Sequence, residues 1–220
     1  TSEFSTCVTA TDLPPGIIVN TDADPATPTS VGCDAIECTL REAISLANLQ
    51  QGPDLIRFSI PDNLAPFDIR PATPLPVIAE ALTIDGYTQP GAFPNASVSA
   101  FDAVIKIHLR PTNSVQNLLR VCTNDQVTIR GLALTGASGP ALASGTNDGG
   151  NCSVTGFLEV QGNQFGIAPS GARFSNFAGI LVDQTFGIVG GPNPADRNLI
   201  SNSTTYGVRI VSSSSDNSIV

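Results

Sequence analysis

Tryptophan and methionine are absent from these 220 residues, and there is one histidine, one lysine and two tyrosines. Each shortage narrows the field. Lys106 alone makes no basic tract, and a net charge of −9 disfavours nucleic acid or anionic lipid as a partner. Charged residues reach only 13% of the chain, too few for a coiled coil. No apolar run approaches the roughly 20 residues that a membrane helix needs. A Ser-His-Asp relay would have to use His108. No G-x-S-x-G, H-E-x-x-H or paired C-x-x-C motif occurs, which removes the hydrolase elbow, the zincins and the zinc ribbons.

What is plentiful is turn chemistry. Twenty Gly and 17 Pro stand among many Ser, Thr and Asn, as in a turn-rich all-β protein. One helix interrupts this. Thr39 is an N-cap, Glu42 completes a capping box, and Leu40, Ala43, Ile44 and Ala47 fall on one face. Arg41 and Ser45 are expected to point away from that face, and Asn48 with Gln50-Gln51-Gly52-Pro53 ends the helix. A helix this short is marginal in water, so it is expected to rest across one open end of a β-structure and seal it.

Elsewhere the pattern is short strands. Expected strands are 16–20, 55–60, 82–84, 104–110, 118–121, 127–130, 132–134, 157–160, 179–182, 187–189, 198–200 and 207–210. In 104–110, Ile105, Ile107 and Leu109 alternate with Lys106, His108 and Arg110, so the polar three are expected to face solvent. Ala178–Val182 and Tyr206–Ile210 share an apolar-Gly-apolar frame, and each leads on to an Ile-Val pair, 188–189 and 219–220. Val160-Gln161-Gly162-Asn163 likewise matches Leu199-Ile200-Ser201-Asn202. A repeat of this length marks a solenoid. Three short strands per coil with no helical spacers give a right-handed parallel β-helix, with Asn stacking at corners and one short N-terminal capping helix. Residues 1–4 read as vector-derived, 5–54 as leading strand, acidic turn and capping helix, and 55–220 as coils. Asn217–Val220 stops in mid-repeat, so the column is expected to continue, to be covered by another subunit or to stack end to end.

The run Cys38-Thr39-Leu40-Arg41-Glu42-Ala43-Ile44, with Cys33 five residues earlier, resembles the signature of the CSLREA domain. Ile18–Asp24 is similar to that family's leading strand and acidic turn, and Leu82–Ala92 to its "TIDGYTQPGA" rung. The resemblance implies a bacterial, secreted or surface-attached β-helix protein of pectate-lyase-like fold. It specifies architecture and export, and no reaction.

Five cysteines suit export too. Cys33 and Cys38 flank a short acidic turn, and Cys122 and Cys152 are placed to meet on adjacent coils. Neighbouring strands lie about 4.8 Å apart, within the roughly 4.4–6.8 Å a disulfide spans. Cys7 is left over, and five reduced core thiols are the alternative.

Candidate sites are sparse. Asn20, Asp22 and Asp24 imitate the start of an EF-hand loop, but Pro25 replaces its Gly and Val31 its Glu. Asp22, Asp24, Asp34 and Glu37 remain as a loose Ca²⁺ set or a plain acidic turn. Lys106, His108 and Arg110 form a candidate ligand patch. An enzyme on this scaffold would draw on Asp183, Asp196, Arg197 and Arg209. The expectation is therefore a non-enzymatic surface scaffold or adhesin with carbohydrate or a host or matrix surface as partner, and no resident cofactor. The alternative is a polysaccharide lyase or glycoside hydrolase.

Overall fold

The computed structural model describes residues 16–25, 33, 36–61, 66–145, 152, 156–183, 186–211 and 218–220. Thr1–Phe4, Cys7, Asp34 and Asn217, singled out above, lie outside them. Among the described residues the fold is mostly β, with strands gathered into three parallel sheets and one α-helix.

Strand β1 (Ile17–Val19) leads to helix α1 (Leu40–Ala47), and β2 (Asp54–Phe58) and β3 (Phe67–Ile69) follow. The chain then repeats one itinerary: β4 (Leu82–Asp85), β5 (Ile107–Leu109), β6 (Leu119–Val121); β7 (Gln126–Arg130), β8 (Leu132–Leu134), β9 (Pro140–Ser144); β10 (Phe157–Gln161), β11 (Gln164–Phe165), β12 (Ala178–Val182); β13 (Phe186–Val189), β14 (Leu199–Ile200), β15 (Val208–Ile210); and finally β16 (Ser218–Ile219). The first strand of each pass joins sheet one (β1-β2-β4-β7-β10-β13-β16), the second sheet two (β3-β5-β8-β11-β14), and the third sheet three (β6-β9-β12-β15).

Register follows from side-chain alternation, because a one-residue slip would turn every inward residue outward. In sheet one a single column runs Ile17, Ile56, Ile84, Ile129, Val160, Val189, Ile219, with each residue opposite the next. Every member is β-branched, the side-chain type that packs best on a pleated surface. In sheet two Ile69, Leu109, Leu134, Phe165 and Ile200 stack in the same way, and in sheet three Leu119, Leu142, Ile180 and Val208. These columns meet in one core cluster.

The 28-residue repeat is observed, with Ile180 opposite Val208 and Val182 opposite Ile210. Two other expected matches shift. Val189 lies opposite Ile219, so the Ile-Val pairs are offset by one residue; aligning Ile188 with Ile219 would have put Val220 in the inward column and turned Ile219 to the other face. Asn163 stacks on Asn198 instead of corresponding to Asn202. Asn198 Oδ1 accepts from Asn163 N at 2.9 Å and from Asn163 Nδ2 at 3.2 Å. Each asparagine also donates to a carbonyl of the preceding pass, Asn163 to Ile129 at 2.8 Å and Asn198 to Val160 at 2.7 Å. Corner backbone with no ladder partner thus gains one from the amide side chains. The segment 104–110 is a strand only over Ile107–Leu109, because Val104 turns back to pair antiparallel with Phe93. Strands β3, β9, β11 and β16 were not among the expected strands. Pro140-Ala141-Leu142-Ala143-Ser144 has little β propensity, and pairing on both flanks supplies the order its side chains lack.

Helix α1 packs on β1 and β2. Thr39 Oγ1 accepts from Glu42 N at 3.2 Å, and Glu42 Oε2 accepts from Thr39 N at 3.0 Å. Leu40, Ala43, Ile44 and Ala47 are fully buried. Arg41 departs from expectation, since it too is buried. Its guanidinium binds both carboxylate oxygens of Asp24, at 2.9 and 2.8 Å, and the carbonyls of Pro74 and Thr73, at 2.7 and 3.0 Å. The helix therefore has a polar seam, which ties the leading segment to the turn after β3. No helix among the described residues is long and apolar enough to cross a membrane.

Candidate functional site

Two disulfides fix the corners, Cys33–Cys38 just before α1 and Cys122–Cys152 across one pass, with Cα atoms 5.6 Å apart in the second. Around Cys38, Asn20 makes a two-point clamp, its N donating to Cys38 O and its Oδ1 accepting from Cys38 N. These contacts bear on the Ca²⁺ set. Asn20 Oδ1 is engaged by Cys38 and the Asp24 carboxylate by Arg41, while Asp22 is exposed. Among the described residues no three His, Cys, Asp or Glu gather at metal-binding distance.

His108 is not on a solvated face. Alternation puts it on the outer side of sheet two, yet it is only 2% exposed. The segment after β11 folds back over that side and sets Phe174 against it, ring centroids 6.5 Å apart, with Arg110 stacked 3.8 Å above the same ring. Asp68, opposite His108 in the preceding strand, has Oδ1 at 2.7 Å from Nδ1, and Thr135 Oγ1 is 2.8 Å from Nε2. A carboxylate only accepts, so Nδ1 carries the proton and Nε2 accepts from the threonine hydroxyl. That is a neutral imidazole with both nitrogens satisfied. Burial pushes its pKa below the ordinary 6.5, helped by Arg110 and Arg70 and opposed by Asp68. The order Asp-His-Thr is that of a nucleophile relay, but Thr135 is fully buried and offers no surface to a substrate. Lys106, half-buried, lies two residues before His108, just ahead of β5.

The four residues of the enzymatic alternative are dispersed. Asp183 is buried just past β12 in sheet three, whereas Asp196 and Arg197 lie in the turn between β13 and β14, sheets one and two. Asp196 Oδ2 accepts from Asn193 N and Nδ2, at 3.0 and 2.9 Å. Arg197 donates to the carbonyls of Ala100 and Val98, both at 2.9 Å, and so holds the tip of the segment inserted between β4 and β5. In that tip Asp102, fully exposed, is held below the usual carboxylate range by the amides of Ala96 and Ser97. Beside the turn, Tyr87 donates to Gly162 O at 2.5 Å, and burial pushes its phenol up to about 12. The left-handed Gly131 and Gly162 are required there, since a Cβ on either would meet Tyr87 at about 2.7 Å.

Arg209 alone stands at an open site. The outer face of sheet three carries the column Arg120, Ala143, Leu181, Arg209, one residue per pass. Along it runs a groove of about 580 Å³, walled by Phe177 and Tyr206 and floored by Leu181. Arg209 lies 5.8 Å above the Tyr206 ring. Gln116 and Asn117 are shared with a second cavity, of about 140 Å³, that reaches Arg120 and Pro74. Phe177 is nearly half exposed, and its carbonyl accepts from the hydroxyls of Thr204 and Thr205, which holds the rim. Sequence reading noted the scarcity of aromatics and not their placement. The available signal was that Tyr206 heads the second repeated frame and Phe177 immediately precedes the first.

Comparison with family models, curated proteins and solved structures finds no match to this chain.

Proposed function

We propose that this chain is a non-enzymatic, exported scaffold segment, a right-handed parallel β-helix that presents its outer faces to an extracellular partner in the manner of an adhesin. The observation that carries this reading is the employment of the carboxylates. Asp24 is bound by Arg41, Asp68 by His108, Asp85 by Arg130 and Tyr87, and Asp196 by Asn193. Two carboxyls free to act as an acid and base pair across one groove, as glycoside hydrolysis requires, are not what these contacts offer. The fixed itinerary through three parallel sheets, in which each pass covers only its neighbours, supports the β-helix. Two disulfides support an oxidising compartment. The Cys38–Ile44 run supports kinship with bacterial CSLREA-domain surface proteins.

Incubating the purified chain with a panel of neutral and acidic polysaccharides, with and without calcium, tests the reading. The expected outcome is no new reducing ends and no unsaturated products. Turnover that disappears in Asp183→Ala or Asp196→Ala would overturn it in favour of a lyase or hydrolase.

A further inference from the structure

Residues 67–71 and 107–111 repeat one frame, Phe-Asp-Ile-Arg-Pro and Ile-His-Leu-Arg-Pro. The ladder holds the two copies in register. Phe67 lies opposite Ile107 and Ile69 opposite Leu109, and beyond the strands Arg110 N donates to Ile69 O and Thr112 N to Pro71 O, both at 3.0 Å. Arg70 and Arg110 are therefore neighbours on adjacent passes, on the outer side of sheet two, with Cα atoms about 4.8 Å apart. Like charges directly opposite one another are destabilising. The chain has 19 Asp and Glu to neutralise its 10 Lys and Arg, yet among the described residues neither of these arginines has an ion pair or a hydrogen bond. Asp68, on the same face, has its Oδ1 engaged by His108. Both guanidinium groups stand close enough to that imidazole to push its pKa down.

We infer that Arg70 and Arg110 together hold one phosphate group, free or as a monoester, which bridges the two guanidinium groups. The inference goes beyond the scaffold reading and does not depend on it. Arg110 is preorganised for this task. Its guanidinium carbon lies 3.8 Å from the centroid of the Phe174 ring, and the turn that carries Phe174 is tied down by Phe174 N to Gly166 O at 3.2 Å and Ala168 N to Ala172 O at 2.8 Å. A guanidinium stacked by its face keeps its in-plane N–H donors free, so little order remains to be gained on binding. Arg70 is exposed and offers a second set of donors one strand spacing away. Two cations so close favour a single anion that both can share. A carboxylate has two oxygens in one plane and suits one guanidinium edge, whereas the three terminal oxygens of a phosphate accept from both edges at once. Such a ligand also removes the repulsion that the ladder imposes on the pair.

Titration calorimetry of the whole chain at low ionic strength, with inorganic phosphate, phosphoserine and acetate, tests the inference. The expected result is that both phosphates bind with Kd on the order of 1 mM or tighter, more weakly as salt is added, and that acetate binds at least about tenfold more weakly. Arg70→Gln should weaken phosphate about tenfold or more. Arg70→Lys, which keeps the charge and loses the fork, should fall between the two. In phosphate-free buffer Arg70→Gln should melt at the same temperature as the wild type or higher, because the substitution relieves a like-charge contact at an exposed position. Phosphatidate vesicles separate a lipid headgroup from a free phosphate. No co-sedimentation is expected, since a net charge of −9 opposes approach to an anionic surface. Equal affinity for acetate, no phosphate binding, unchanged affinity in Arg70→Gln, or capture by vesicles without binding of free phosphate would each overturn the inference and leave the scaffold reading standing. A lower melting temperature for Arg70→Gln without phosphate would do the same, by giving Arg70 a structural role.

Discussion

A buried imidazole with both nitrogens engaged makes a stability claim with a definite sign. His108 is held neutral between the Asp68 carboxylate and the Thr135 hydroxyl, and burial keeps its folded-state pKa below the ordinary 6.5. Above pH 6.5 neither the folded nor the unfolded state carries the proton, and the contribution is fully present. As pH falls below 6.5 the unfolded chain takes up a proton that the folded chain refuses, and stability drops by at most about 1.4 kcal/mol per pH unit. Urea unfolding at pH 7.5, 6.5 and 5.5 should show this loss in the wild type. In His108→Gln, whose side chain does not titrate, the dependence over that interval should flatten; an unchanged slope would refute the assignment. The same residue shows where a strand pattern stops being informative. Alternation correctly put His108 on the side away from the core, but it carries no information about what lies over that side. The cover is Phe174, 66 residues later, and no local rule links the two.

At the scale of the element, helix α1 was legible to the residue. Thr39 caps, Glu42 closes the box, and the apolar face is the one its spacing implies, because all three depend on neighbours within one turn. Arg41 was misplaced for the opposite reason. Helical spacing puts it off the apolar stripe, and it is buried because Asp24, Thr73 and Pro74 converge on it from segments 17, 32 and 33 residues away. The Asp24 side chain is 1% exposed, so its removal leaves an uncompensated buried cation. Asp24→Ala should lower the unfolding free energy by about 3–5 kcal/mol. Arg41→Lys should recover only part of what Arg41→Ala loses, since an ammonium cannot span two carboxylate oxygens and two carbonyls. Chemical denaturation of the three variants checks the order, and equal losses in both Arg41 variants would contradict it.

Across the whole molecule the β-branched column of sheet one carries the consequences. In the solenoid proposed above, each pass would cover only its neighbours and a core defect would be transmitted locally. Ile129, between Ile84 and Val160, is fully buried, whereas Ile219 at the end of the column is 60% exposed. Ile129→Ala should cost about 2–5 kcal/mol and Ile219→Ala well under 1. Hydrogen exchange should place the protection lost in Ile129→Ala in β4, β7 and β10 before β1 or β16, and uniform loss across all seven strands would contradict a pass-by-pass fold.

What the sequence determined by itself were the features governed by short-range rules: the capped helix, the inward alternation of Ile, Val, Leu and Phe, the parallel short-strand architecture and the 28-residue frame of β12 and β15. Only the tertiary structure decided which outward faces stay open. It covered His108 with Phe174, drew Arg41 inward and locked Arg197 onto a distant loop. It also set the registry of Asn163 with Asn198, and it left Arg209 beside the exposed Phe177 and the half-buried Tyr206. The physical reason is that strand pairing fixes which side of a sheet a residue occupies, whereas access to that side depends on long connections whose paths are set by contacts scores of residues apart.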